Sequence, residues 1–291
     1  MMKNRIAKKY LALLLSFAVF ALIPVAFTQE ANAASKKTYY VTTKVTTQTQ
    51  SSDGTKVNTY KYSYFKNGLQ KKIDYGTDGK VVHKRNSKGY ISKSTYYTAA
   101  GAVQSIYTYK YKYNNKGLAT SEKCYYQKTG GAKVLNYSTF MSYHSNGRVK
   151  RSITVYSDGT KSDLLYYSSG KYKKYVYTDE NGRITTSKYD KYGSEKSYYS
   201  SGVSELHTTL KHDKNGNITK DVYTTTYDGY TTTTKAVTKY KYDKHKNIKK
   251  AVTTTTRTEP DGSVSTSVYT YTAKYKAVKV AKKYQHFFPK K

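Results

Sequence analysis

Tyrosines spaced two apart, interrupted at short intervals by glycine-bearing turns, constrain this chain more than any other feature. Tyr62-Ser63-Tyr64 runs into Asn67-Gly68-Leu69, Tyr175-Val176-Tyr177 into Asn181-Gly182-Arg183-Ile184, and Leu210-Lys211-His212 into Asn215-Gly216-Asn217-Ile218. Looser copies join Tyr111-Lys112-Tyr113 to Gly117-Leu118, Tyr143 to Asn146-Gly147-Arg148-Val149, and Tyr240-Lys241-Tyr242 to Asn247-Ile248. A two-residue period belongs to a strand, because successive side chains point to opposite faces. Asn-Gly offers the positive φ that a tight hairpin turn needs. Turns returning at intervals of roughly ten to seventeen residues mark short strands joined by hairpins. The expected fold is therefore all-β: tandem antiparallel β-hairpin repeats forming an elongated twisted sheet or a partial spiral, after an N-terminal helical signal peptide.

Two sorts of turn can be separated. One has Asn or Lys before glycine and an aliphatic just after it, as at Gly68-Leu69, Gly117-Leu118, Gly182-Arg183-Ile184 and Gly216-Asn217-Ile218. The other is Asp-Gly, at Asp78-Gly79, Asp158-Gly159, Asp228-Gly229 and Asp261-Gly262. A unit of two hairpins puts one aliphatic per unit at the same offset, where its copies would stack into a narrow apolar seam. Asn67, Gly68, Asn146, Gly147, Asn181, Gly182, Asn215 and Gly216 are the expected structural turn residues. Pro260 ahead of Asp261-Gly262 presets the last turn and lies outside the ladder. Helical periodicity is weak throughout the mature chain, and Ala273 to Lys283 is the one stretch with room for a turn or two.

The N-terminus reads as an export signal. Lys3, Arg5, Lys8 and Lys9 precede an apolar run from Leu11 to Phe27, and Ala31-Asn32-Ala33 offers a cleavage motif between Ala33 and Ala34. The expected organisation is a signal peptide over 1–33, a Thr-rich segment over 34–59, hairpin repeats over 60–272 and a basic tail over 273–291. No membrane attachment is expected after cleavage, and the protein is expected to be secreted, with a Gram-positive cell wall as one destination.

Charge then narrows the partners. The chain of 291 residues holds 52 Lys+Arg against 18 Asp+Glu, a formal charge of +34, and only Lys3, Arg5, Lys8, Lys9 and Glu30 of these belong to the leader. A field of that sign draws polyanions. Much of the apolar surface beyond the leader comes from tyrosine, of which the chain has 37, all but Tyr10 past residue 33. In Tyr107-Thr108-Tyr109-Lys110-Tyr111-Lys112-Tyr113, in Tyr172-Lys173-Lys174-Tyr175 and in Tyr240-Lys241-Tyr242, rings and ammonium groups fall on alternating faces. Tyr107, Tyr109, Lys110, Tyr111, Lys112, Tyr113, Tyr172, Lys173, Tyr175, Tyr240, Lys241 and Tyr242 are the candidate ligand-binding residues, with sugar faces on rings and anions on lysines. The expected partner is an anionic polysaccharide or cell wall. Nucleic acid meets the same pattern by charge and stacking, but export makes it the less natural partner.

No enzyme is expected. The six histidines lack metal-ligand spacing, and no nucleophile elbow, phosphate loop or dinucleotide fingerprint occurs. No cofactor and no metal are called for. The lone Cys124, beside Tyr125 and Tyr126, makes no internal disulfide and reads as a packed side chain.

The unit Tyr-x-Tyr-Asp-x-x-Gly-x-Ile resembles the YD repeat of bacterial Rhs-type and wall-associated proteins. Tyr175 to Ile184 and Lys211 to Thr219 carry the likeness best, and Tyr240 to Ile248 keeps its front but has Lys246 at the glycine position. The resemblance implies β-hairpin ribbons that in large members spiral into a shell around a cargo. Here it implies a secreted non-enzymatic repeat protein on anionic wall or matrix polysaccharide, or alternatively a secreted accessory of an interbacterial toxin or adhesin system. More loosely, the Tyr-rich turns are similar to glycan-binding repeats of clostridial toxins and choline-binding proteins, which lean on the tryptophan this chain lacks.

Overall fold

The computed structural model describes residues 36–288, so the leader and its Ala33/Ala34 cleavage site lie outside the described residues. Eighteen strands follow one another: β1 (Lys36–Ser51), β2 (Gly54–Tyr64), β3 (Gln70–Asp74), β4 (Lys80–Arg85), β5 (Ile91–Tyr97), β6 (Val103–Tyr113), β7 (Ala119–Lys128), β8 (Lys133–Tyr143) and β9 (Val149–Tyr156) form the first half. The second half is β10 (Lys161–Tyr166), β11 (Tyr172–Thr178), β12 (Ile184–Tyr189), β13 (Glu195–Ser200), β14 (Val203–His212), β15 (Ile218–Tyr227), β16 (Tyr230–Tyr242), β17 (Ile248–Thr258) and β18 (Val264–Ala281).

Every strand pairs antiparallel with the next, and β18 returns to β1 from Lys36 opposite Ala281 to Gln50 opposite Val268. The sheet is a closed 18-stranded barrel. The expected elongated sheet or partial spiral is thereby overturned, and with it the spiral ribbon that the YD-repeat resemblance implied. Closure follows from the two ends of the chain. β1, inside the Thr-rich segment, and β18, which runs unbroken through residue 273, have 16 and 18 residues. Left open, each would present a long row of unpaired N–H and C=O groups, and pairing them removes both edges.

Hairpin turns alternate between two rims. First-rim turns open at Phe65, Asn86, Asn114, His144, Tyr167, Asp190, Asp213 and Asp243 and share one pattern. In the Asp213 turn, the Asp213 N–H donates to the Asn217 carbonyl at 2.9 Å and the Gly216 N–H donates to the Asp213 carbonyl at 3.0 Å. The Asp213 carboxylate also accepts from the N–H groups of Asn215 and Asn217, an Asx cap. Positive φ falls on the glycine alone, +79° at Gly216, and on Lys246 at +62° where glycine is replaced. The Asn before each glycine does not share it, so these are five-residue turns and not the two-residue Asn-Gly hairpins the sequence suggested. Asn67, Gly68, Asn146, Gly147, Asn215 and Gly216 all sit in first-rim turns. Asn181-Gly182 lies on the second rim, among the Asp-Gly turns. The apolar seam is split accordingly: Leu69, Leu118 and Ile248 are buried at the first rim, whereas Ile184 is 54% exposed at the second.

Alternation sorts the wall into two chemistries. Tyr109 stands opposite Cys124, and Cys124 opposite Tyr137, while one residue along Lys110 stands opposite Lys123. The tyrosine face holds the buried Ser94, Cys124, Ser187 and Tyr271, so it is the inner face; lysines point outward. Inner hydroxyls reach across a neighbouring strand to backbone carbonyls, Tyr111 to Ile91 at 2.8 Å, Tyr240 to Ile218 at 2.9 Å and Tyr275 to Ile248 at 2.9 Å. A ring of this many strands is too wide for side chains to fill, so tyrosines line it. Packing is tightest beside the closing seam, where Val45, Ile248, Ala251, Tyr271 and Ala273 cluster.

After β18 a 3-10 segment, Lys282–Phe287, folds against the first rim. Tyr90 meets Phe287 with ring centroids 4.9 Å apart, and Tyr39 meets Phe288 at 4.7 Å. A Cβ on Gly89 would fall 2.8 Å from Phe287 and 2.9 Å from Tyr284, on a backbone with φ of +92°. At Gly182, φ is +77° with nothing within 4 Å. Gly182→Ala is therefore expected to cost about 1–2 kcal/mol from backbone strain alone, and Gly89→Ala distinctly more. Denaturant melts of the two variants check the order.

Candidate functional site

The sequence candidates separate across the wall. Tyr107, Tyr109, Tyr111, Tyr113, Tyr175, Tyr240 and Tyr242 are on the inner face. Burial pushes their phenols up, to about 12 for Tyr175 and Tyr240. Tyr242 donates to the Asp213 carboxylate, and Asn217 Nδ2 donates to its hydroxyl at 2.8 Å. Lys110, Lys112 and Lys241 project outward from the same strands. Tyr172 is 46% exposed, its ring tilted against Tyr166, and Lys173 Nζ lies 5.8 Å from the Tyr167 ring centre. Over most of the candidate set the rings and the lysines thus face opposite sides of the wall and do not form one joint surface.

Register brings together lysines that the sequence analysis did not pair. On the outer face Lys84 stands opposite Lys93, Lys110 opposite Lys123, Lys174 opposite Lys188, Lys211 opposite Lys220 and Lys241 opposite Lys250. Lys44 stands between Lys61 and Lys274. They lie toward the first rim and form a belt around much of the barrel, broken across β8–β10. Facing residues of an antiparallel pair have Cα atoms about 4.5–5.5 Å apart, and like charges directly opposite destabilise a sheet. Relief from carboxylates is sparse. Among the described residues, none of these lysines meets a carboxylate within 4.0 Å, although Asp74 is the cross-strand neighbour of Lys61.

Inside the wall, carboxylates gather around one histidine. His207 Nδ1 is 2.8 Å from Asp221 and Nε2 is 2.9 Å from Glu205, with Glu195 close by. Burial alone would lower the imidazole pKa, but the hydrogen bonds to Asp221 and Glu205 outweigh it and raise the group to about 9. Both ring nitrogens donate to carboxylates, which leaves the imidazolium no lone pair for a metal. His83 is the reverse case: buried against Ser94 at 2.9 Å, it is held neutral, its pKa lowered to about 4 by burial and by Arg85. His207 thus stabilises the fold fully below its unfolded pKa, about 6.5, and this is lost as pH rises through 9. His83 contributes above 6.5 and loses that contribution as pH falls through 4. Melting temperature should peak near neutrality, with the alkaline decline between pH 6.5 and 9 removed by His207→Gln.

No protein-family model matches the chain, one for the YD repeat included, and no curated protein matches it. Among solved structures, a porin-like protein from Bacteroides uniformis is similar over 81% of this chain and 96% of its own, with 14% identity and a TM-score of 0.43. So slight a likeness bears on neither fold nor function, and the β1–β18 ladder carries the closure unaided.

Proposed function

We propose that this protein is an exported, water-exposed, non-enzymatic barrel that binds an anionic polymer on its outer lysine belt. The observation that carries the reading is the set of directly opposed lysines. Such pairs oppose folding, and a polymer bearing negative charge along its length turns that repulsion into attraction. The leader motif supports export. A membrane-spanning role fits the same wall poorly: a lipid-facing barrel needs an apolar outer band, and each lysine at the bilayer midplane costs about 2–4 kcal/mol. The toxin-accessory alternative rested on the YD-repeat resemblance and loses that support with the closed ring and the absence of a matching family model. Placement in a Gram-positive wall and sugar stacking on tyrosines are not retained.

Binding of this kind is electrostatic and weakens steeply with salt. Heparin and sodium polyphosphate should retain the protein at low salt and release it at high salt, and a neutral glucan should not retain it. Replacing Lys110, Lys123, Lys241 and Lys250 together by Gln should weaken polyanion binding about tenfold or more while raising the melting temperature of the unliganded protein. Undiminished binding by that variant would show that the belt is not the contact surface.

A further inference from the structure

Resting on that reading, we infer that the polymer is a flexible single chain of phosphates lying across the strands and following the curve of the wall. The opposed pairs recur toward the first rim, on β11/β12, β14/β15, β16/β17, β18/β1/β2, β4/β5 and β6/β7. Neighbouring strands are about 4.8 Å apart, so successive pairs follow within two or three strands along a curved path. A rigid rod laid on a convex wall meets it along one line and reaches a pair or two. A flexible chain reaches them all. Duplex DNA is stiff on this scale, with a persistence length of about 50 nm, and bending it around so narrow a body costs energy.

The spacing within a pair selects the chemistry. Two ammonium groups one strand apart need two anions close together, and consecutive phosphates supply them. Lysine suits a flexible chain, as a freely pivoting point charge that needs no fixed fork geometry.

The track is an arc with two ends. Across β8–β10 the outer face carries Phe140 at 53% exposure, Val155 at 40%, and the Arg151–Asp163 ion pair instead of opposed lysines. Affinity should therefore climb with chain length and level off once the arc is filled.

Sodium polyphosphate of graded lengths, titrated into the full protein beside a DNA duplex of equal charge, tests this. The expected result is a fall in Kd of about tenfold or more from the shortest chains to the plateau, with a steeper salt dependence than the duplex shows. Lys110→Gln/Lys123→Gln should shorten the plateau length. Phe140→Lys, at an exposed outward position, should leave short chains unaffected and tighten binding of the longest. Equal Kd at all lengths, or a duplex with the same salt slope, overturns the wrapped path while leaving polyanion binding intact. Failure of every polyphosphate to bind overturns both.

Discussion

Raising the pH above 10 should unfold this barrel cooperatively, because its lining is made of phenols held in the neutral state. Tyr62, Tyr166, Tyr175 and Tyr240 are each pushed up to about 12, chiefly by burial and secondarily by neighbouring groups. In the unfolded chain they ionise near 10. A group whose folded pKa is raised contributes stability below the unfolded value and loses it as pH climbs through the folded one. The window is therefore pH 10 to 12. Each such ring can remove up to about 1.4 kcal/mol per pH unit across it, less where solvent screens the ring. Four rings acting together still remove several kcal/mol, a large part of ordinary domain stability. Loss of β ellipticity should coincide with the appearance of tyrosinate absorbance in one transition. Tyrosinate forming gradually near pH 10 with the ellipticity intact would mean that the rings are not enclosed. Tyr240→Phe gives an internal control: it forfeits the hydrogen bond to Ile218, at about 1 kcal/mol near neutrality, yet should move the alkaline midpoint upward.

What the sequence disclosed and what it hid divide along local and long-range lines. The Tyr-x-Tyr alternation and the turn residues are local, and they mark the hairpins well enough that Lys246 stands out at a glycine position, where its φ is +62°. Closure is not local. It depends on β1 meeting β18, at opposite ends of the chain, and the threonines of β1 advertise no partner. The opposed lysines fall between these cases. Antiparallel register pairs residues equidistant from a turn, so Lys241 and Lys250 are nearly paired by counting outward from the Asp243 turn. Yet the register slips by one between Lys241 and Tyr242, and similar slips occur at Lys211/His212 and Lys84/Arg85. A bulge turns a count of residues into the wrong face. The His207 cluster was hidden for the same reason, since a register shift between His207 and Thr209 intervenes before Asp221 comes into place. The tyrosines misled in another way: their alternation with lysine was plain, but only a closed wall says which of the two faces is inside.

Ala273→Asp should melt the far side of the barrel as readily as its own strand. Ala273 is 6% exposed in the seam cluster with Val45, Ala251 and Tyr271, and an unpaired carboxylate there is expected to cost about 3 kcal/mol or more. Ala277→Asp, on the exposed stretch of the same strand, should stay within about 0.5 kcal/mol of the parent. The distinction from an open array lies in where the damage is felt. Hairpins stacked in a line interact with nearest neighbours, so a fault in the last strand frays that end and spares the rest. In a ring, β18 is the neighbour of both β17 and β1, and its loss opens two long edges at once. Cys124 reports on this without any added label. It is fully buried on the inner face of β7, and burial raises its thiol to about 11, so it should resist a thiol reagent while the barrel is closed. In the Ala273→Asp variant, Cys124 should become reactive at the same denaturant concentration at which the β signal is lost. If Cys124 stays protected while β18 alone comes away, the seam does not hold the ring and the wall is an open sheet after all. Coincident transitions would instead tie the outer lysine belt to the same closure, because the arc of paired lysines runs through β18, β1 and β2.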